Sequence, residues 1–167
     1  MVGAPARTIL DASVKSPPDV REPMAATRTA TAVWENDLMH GQGTVQGASG
    51  ALPSMGVSWS ARTEASGGKT SPEELLAAAH ASCFSMAVTS ELVKVGITDP
   101  AIVTTATVEL KQVNGEFTIT SSHLDVMVEA KGADKSKLAA AAEAAKANCP
   151  VSKLLRAEVT MTATYST

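Results

Sequence analysis

The stretch Thr70–Phe84 reads TSPEELLAAAHASCF, and its opening residues decide how it folds. Ser71 stands at an N-cap position and Pro72 at the first helical position, and Glu74, three residues after Ser71, completes a capping box. The apolar, alanine-rich run that follows predicts a helix to about Lys94, with Gly96 supplying a left-handed stop. Two residues in it are out of character. Cys83 lies on the stripe Leu76, Ala79, Cys83 and Met86, the face such a helix is expected to bury, and by that alone it reads as an inert core thiol. His80, one turn earlier, alone reads as a hydrogen-bonded structural histidine. Glu73 is not needed for capping, and a carboxylate in the first turn is only mildly favourable there.

Upstream, RTATAVW, GTVQG and VSWSART read as short strands separated by Gly, Asn and Asp clusters. Downstream, Thr104–Val113 alternates Ala106, Val108 and Leu110 with polar residues, and Asn114-Gly115 is a strong hairpin signal. In the returning strand Phe117 and Ile119 share one phase, and Leu124, Val126 and Val128 the other, which predicts a bulge near Ser121–His123. A second alanine-rich helix is expected over Lys135–Asn148, then Cys149-Pro150, a short turn VSKLL and a last strand with Val159, Met161, Ala163 and Tyr165 on one face. Three strands, helix, two strands, helix and strand make an α+β domain, read as an antiparallel sheet with a long central helix.

The chain has 167 residues, 44% of them hydrophobic, with a mean hydropathy of +0.06. That suits one domain with a real core. Fourteen Lys and Arg against seventeen Asp and Glu give a net charge of -3 with no like-charged block, so neither nucleic acid nor an anionic membrane is an expected partner. The longest weakly polar run, Leu75–Thr89, is shorter than a bilayer span and is interrupted by His80 and two serines. Residues 1–27 hold four of the eight prolines and little periodicity, which predicts a flexible tail or leader before a domain over 28–167. Met24 is a possible start. Acidic residues at Asp11, Asp19 and Glu22 disfavour a signal or transit peptide, so the expected location is cytoplasmic. Two cysteines in such a compartment are more often unpaired, catalytic or redox-active than a structural staple.

GGKT at Gly67–Thr70 is not a phosphate loop, because the glycine required five residues before the Gly-Lys pair is replaced by Thr63. His80, Cys83 and Cys149 could begin a metal site, yet no second Cys or His stands at ligand spacing. Cys149 sits between a helix end and Pro150, a constrained junction. One thiol in a helix and another at a rigid turn would suit a dithiol switch.

SPEELLAAAHASCFSMA, NCPVSKLL and the opening TATAVWENDLMHGQGTV together resemble the osmotically inducible protein C and organic hydroperoxide resistance family of thiol peroxidases, in the first of its two branches. The likeness runs from about Thr29 to the C-terminus. It implies an intertwined homodimer in which Cys83 is the peroxidatic cysteine, Cys149 the resolving cysteine, Glu73 the site carboxylate and Arg62 the site arginine. Ser71 replaces the family's usual Asn. Thr63 follows Arg62 where the family commonly has an aromatic, so Arg28 stands as a second candidate arginine. The resemblance further implies organic hydroperoxides as substrates, hydrogen peroxide less well, an external dithiol reductant of the lipoyl type, and a role in oxidative or osmotic stress defence. No cofactor or metal is called for. The alternative is a non-catalytic protein that holds a metal or an apolar ligand through His80, Cys83 and Cys149.

The spacing carries one more expectation. Ten residues of helix between Glu73 and Cys83 span roughly 15 Å, so both can serve one site only if two chains pair their helices antiparallel about a two-fold axis. The crossing would fall near Ala78, where Ala77, Ala78 and Ala79 allow the closest approach.

Overall fold

The computed structural model describes residues 26–167; the expected tail over 1–27 lies almost wholly outside them. The long helix comes first in any account, because everything else is arranged around it. This helix, α2 (Pro72–Lys94), starts where expected: the Ser71 hydroxyl accepts from the Glu74 N–H. The capping box is only half formed, since the Glu74 carboxylate is held by the Thr70 hydroxyl at 2.7 Å. At the other end the Ile97 N–H reaches the Leu92 carbonyl and the Gly96 N–H the Val93 carbonyl, with Gly96 at φ 83°. That paired pattern needs a left-handed residue, which glycine adopts without steric cost.

Before α2, strands β1 (Ala30–Glu35), β2 (Gln42–Gly47) and β3 (Met55–Ser58) form an antiparallel sheet in that order. The third predicted strand is cut short. Trp59–Thr63 turns instead into a short helix, α1, because the Ser58 hydroxyl caps it by accepting from the Ala61 N–H.

After α2, strands β4 (Ala101–Val113) and β5 (Glu116–Glu129) make the predicted hairpin, with Asn114 at φ 52° and Gly115 at φ 87°. Positive φ at both positions is the type I′ turn that matches strand twist. The bulge falls one residue before the expected place: Glu109 pairs Ser121 and Leu110 pairs Ile119, which leaves Thr120 as the extra residue. Helices α3 (Lys135–Asn148) and α4 (Pro150–Leu154) then lead to β6 (Glu158–Ser166). The expected single antiparallel sheet is in fact two three-stranded sheets, and β6 runs parallel to β5. The helical crossover returns the chain to the same end of the sheet before β6 begins, as parallel neighbours require.

The core lies between α2, α3 and the second sheet. Phe84, Val88 and Leu92 of α2 pack with Leu124, Val126 and Val128 of β5 and with Leu138 and Ala145 of α3. Each large side chain buried this fully contributes about 1.5–3 kcal/mol of apolar transfer. The buried stripe of α2 is therefore Glu73, His80, Phe84, Val88 and Leu92, not the predicted one; Met86 is 66% exposed. Apolar residues stand all round the helix, so spacing alone could not select the inward face.

By length and composition α2 could cross a membrane, its most apolar window averaging a hydropathy of 1.2, so the short-run argument did not settle that point. In this fold it packs against β4, α3 and α4. Only 22% of that window is buried within the chain, and Ala78, Ala79, Met86 and Val93 are exposed along it, with Ser82 and Thr89 among them.

Candidate active site

Cys83 and Cys149 come together. The fourth turn of α2 presents Cys83 beside the α3–α4 junction, where Cys149 closes α3 and opens α4. Pro150, at the first position of α4 and unable to continue α3, sets that corner. The two sulfurs are 3.4 Å apart and both thiols are free. A disulfide requires them to close by roughly 1.4 Å, to the usual ~2.05 Å. Cys149 is wholly buried, whereas Cys83 is half-buried on a groove shared with Met86, Glu91 and Lys153. Of the pair, only Cys83 is open to a molecule arriving from solvent.

Their acidities are set in opposite directions. Burial pushes the Cys83 thiol above its ordinary value, against the pull of the Val151 N–H, and the neighbouring Cys149 raises it further. Burial also acts to raise Cys149, but the Ser152 N–H and hydroxyl, then Cys83 and the Val151 N–H, outweigh it and hold this thiol low. No full capping hydrogen bond forms from the sulfur to α4, so these donors act as a cluster of nearby dipoles. In a single chain the more acidic sulfur is thus the inaccessible one.

Arg62 and Glu73 meet elsewhere, at the N-terminal end of α2. The Arg62 Nε and Nη2 both donate to Glu73 Oε1, at 2.9 and 2.8 Å. The pair is charge-assisted but lacks the two-oxygen fork common between arginine and a carboxylate: Glu73 Oε2 is buried with no hydrogen-bond partner. The guanidinium also lies 6.0 Å from the centre of the Trp59 ring, within the range of a cation–π contact. Trp59 in turn stacks edge-on to Phe117 at 5.1 Å. An apolar cleft of about 380 Å³ opens beside Arg62, lined by Trp34, Leu38, Val57, Trp59 and Leu75. Arg28 is exposed, and among the described residues it bonds to the neighbouring Thr27 carbonyl. Of the two candidate arginines, Arg62 is the one paired with Glu73.

The four expected site residues therefore form two pairs, separated along α2 by roughly 15 Å of helical rise between Glu73 and Cys83. His80 stands between them, fully buried, with Nδ1 2.8 Å from the Ser122 hydroxyl and Nε2 2.9 Å from that of Ser152. Burial holds its pKa below the ordinary value. With both ring nitrogens engaged by serines, His80 is not presented to a metal, and no cluster of three His, Cys, Asp or Glu suited to one occurs among the described residues. Ser122 and Ser152 were not anticipated. Ser122 had a readable signal: it shares the inward phase of Leu124, Val126 and Val128, where a polar side chain needs a buried partner.

The chain is thus a small α+β protein with two free thiols in contact, one buried and one reachable. Residues 65–164 match the family described as OsmC-like protein. The chain is 42% identical to the Escherichia coli (strain K12) protein named Peroxiredoxin OsmC over 138 residues, 83% of this chain and 96% of that one. It belongs to the OsmC-like protein family. The fold is shared with the OsmC-like protein from Mycoplasma pneumoniae, at a TM-score of 0.67, 15% identity, and coverage of 86% and 100% of the two chains. The organic hydroperoxide resistance protein OhrB of Bacillus subtilis matches at a TM-score of 0.58 and 24% identity over 83% of this chain and 98% of its own.

Proposed function

We propose that the chain is a thiol peroxidase that reduces organic hydroperoxides, and hydrogen peroxide less well, by the cysteine pair Cys83 and Cys149. The observation that carries this reading is the contact of a reachable thiol with a buried one at 3.4 Å. The name of the E. coli relative, a peroxiredoxin, supports it. The Cys83 thiolate attacks the outer peroxide oxygen; the O–O bond breaks, the alkoxide takes a proton and leaves as alcohol, and Cys83 is left as a sulfenic acid. Cys149 then displaces the hydroxyl as water and forms the disulfide. An external dithiol, of the lipoyl type in our reading, resets the pair by exchange. The cleft beside Arg62 offers an apolar wall for an alkyl tail.

The site is completed by a second chain. In one chain burial and Cys149 disfavour the Cys83 thiolate, and Lys94 and Lys153, which line the same groove, do not offset them, although a nucleophilic thiolate needs a stabilising positive neighbour. Antiparallel pairing of two α2 helices brings Arg62 and Glu73 of one copy to Cys83 of the other, and the spare acceptor Glu73 Oε2 is free to meet a donor there. The exposed flank of α2 is the surface that pairing would cover. This is the homodimer with two shared sites. The protein acts in the cytoplasm in stress defence, where the thiols stay reducible.

The test is consumption of cumene hydroperoxide with a dithiol reductant. Cys83→Ser abolishes turnover; Cys149→Ser reduces about one equivalent and stalls as a sulfenate or higher oxide. Arg62→Ala raises the thiolate pKa of Cys83 and slows attack at neutral pH, on the order of tenfold per pKa unit of lost thiolate. Equal loss of the first equivalent in both cysteine variants overturns the assignment.

A further inference from the structure

A disulfide left by turnover has to be reduced from outside the chain, and the surroundings of the two sulfurs decide where that happens. Cys149 is wholly buried and Cys83 half-buried, so an incoming thiolate reaches only the Cys83 sulfur. Its way in is a groove of about 610 Å³ between the C-terminal half of α2 and the α3–α4 junction. Cys83, Ala87, Glu91 and Lys94 recur there at helical spacing and share one face of α2. From the other wall comes Lys153, one turn after Cys149, its N–H donating to the Cys149 carbonyl at 3.0 Å. The charges in this groove do not balance. Glu91 accepts from Lys94 Nζ at 2.8 Å and from the Asn148 amide at 3.2 Å, which makes that ion pair self-contained. Lys153 has no carboxylate at ion-pair distance among the described residues. On its far side it borders Glu143 and Lys146, whose opposite charges offset each other. Neither Lys94 nor Lys153 acts on the Cys83 thiol, whose acidity answers to burial, the Val151 N–H and Cys149. Lys153 is therefore an uncompensated ammonium in the groove of the reachable sulfur, with no task in the attack on peroxide.

We infer that Lys153 is the specificity-determining residue of the reductive half of the cycle, and that it selects a small dithiol bearing a carboxylate. The inference rests on the peroxidase reading of the Cys83–Cys149 pair. The chain carries a net charge of -3, so its overall field disfavours an anion and the attraction has to be local. With the carboxylate on Lys153, the dithiol end of the same molecule lies along the groove toward Cys83, and Met86 and Ala87 offer apolar contact to the methylenes between. One thiolate of the reductant attacks the Cys83 sulfur; the new S–S bond forms, the Cys83–Cys149 bond breaks, and Cys149 leaves as a thiolate that takes up a proton. The reductant's second thiol, as thiolate, then displaces Cys83 from the mixed disulfide and closes the reductant's own ring. The reductant loses two electrons and two protons, and the cysteine pair receives both as two thiols. Oxidant and reductant are thus sorted by chemistry, an alkyl tail beside Arg62 and an anionic tail beside Lys153.

Dihydrolipoate and dihydrolipoamide are the probes, because they share one dithiol and one carbon chain and differ in an end group that is charged in the first and neutral in the second. The full-length protein is oxidised with one equivalent of cumene hydroperoxide, and its reduction by each dithiol is followed in stopped flow through the near-ultraviolet absorbance of the dithiolane produced. The parent reacts faster with dihydrolipoate, by roughly two- to fivefold at low ionic strength, the range of one exposed ion pair. The ratio falls toward one as added salt shortens the Debye length. Lys153→Gln brings it to about one at every salt concentration, Lys153→Glu takes it below one, and Lys153→Arg, which keeps the charge, keeps the preference. A purely structural effect of the Lys153 stem would slow both dithiols alike and leave their ratio where it was. The side chain is exposed, so these substitutions leave the core intact. A parent ratio of one at low salt, or a ratio that Lys153→Gln does not move, overturns the inference. A parent that forms no disulfide under peroxide overturns the peroxidase reading instead; the disulfide is then made with diamide, and the same ratio still decides the part played by Lys153.

Discussion

The two sheets of this molecule have three strands each and opposite character. Along β5, Ser122, Leu124, Val126 and Val128 are buried in turn beneath α2 and α3. Along β1 every residue from Ala30 to Glu35 is exposed, with Val33 at 54% and Trp34 at 41%. The second sheet has a core, and the helices packed with it carry both cysteines. The first has strands but no core of its own, and with α1 it carries Arg62. A three-stranded antiparallel sheet generally needs one face packed on something, so the uncovered sheet and the incomplete cysteine site pose the same problem. The second chain proposed above would resolve both.

The sharpest way to break that comparison is to keep two chains apart. Leu in place of Ala78 puts four-carbon bulk where the helices are proposed to cross, and small side chains set how near two helix axes can come. Ala78→Leu is expected to shift sedimentation from dimer toward monomer and to lose peroxidase activity in proportion. A fully active monomer at assay concentration sinks the shared-site model. So does an inactive mixture of Cys83→Ser and Glu73→Ala chains, because the mixed dimer should retain one intact site.

A smaller effect distinguishes the two regions by their stability. Leu92 is fully buried in the core beside Leu124 and Leu138, and Leu92→Ala should cost about 2–5 kcal/mol at any protein concentration. Val33→Ala, on the uncovered sheet, should cost roughly nothing in an isolated chain. In a dimer that covers Val33 its cost appears, and grows with concentration, because folding and assembly are then linked. Both tryptophans, Trp34 and Trp59, lie in the first region, while the long helices lie in the second. Tryptophan fluorescence and far-ultraviolet circular dichroism therefore follow the two regions separately. Coincident unfolding at high concentration and separate unfolding on dilution is the expected outcome; separate transitions at every concentration would mean that nothing covers the first sheet.

The same contrast explains which parts of the fold could be read from the chain. Local signals were sufficient where a residue's own backbone carries the information: Ser71, Pro72 and Gly96 at the ends of α2, and Asn114-Gly115 at the hairpin. They failed where a distant partner decides. Trp59–Thr63 reads as a strand until Ser58 caps it. The inward face of α2 is invisible when Leu, Met and Ala surround the helix, and the parallel pairing of β6 with β5 depends on a crossover that has no local signature. The cysteines and Glu73 stood out through their sequence contexts. The His80 link to Ser152, 72 residues away, could not, because each residue alone has an ordinary explanation.

The smallest effect expected is a difference in how the two regions respond to acid. His80 lies in the second region, and burial holds its folded-state pKa below the ordinary value; the unfolded chain therefore binds a proton more readily than the folded one. Stability from this group is fully present above the unfolded value of about 6.5 and is lost as pH falls toward the folded value. In the first region the depressed group is Asp37, held low first by the His40 N–H and then by the His40 ring. Its contribution is present above the unfolded carboxylate value near 4 and fades only below that. Between pH 7.5 and 5.5, then, the helix signal should lose denaturant resistance, with no counterpart arising from Asp37. In the His80→Gln variant, which cannot take up a proton, the helix transition should be level across that interval, whatever its absolute stability. An equal slope in parent and variant would mean that the acid response comes from other groups and that His80 is not the titrating residue of the core.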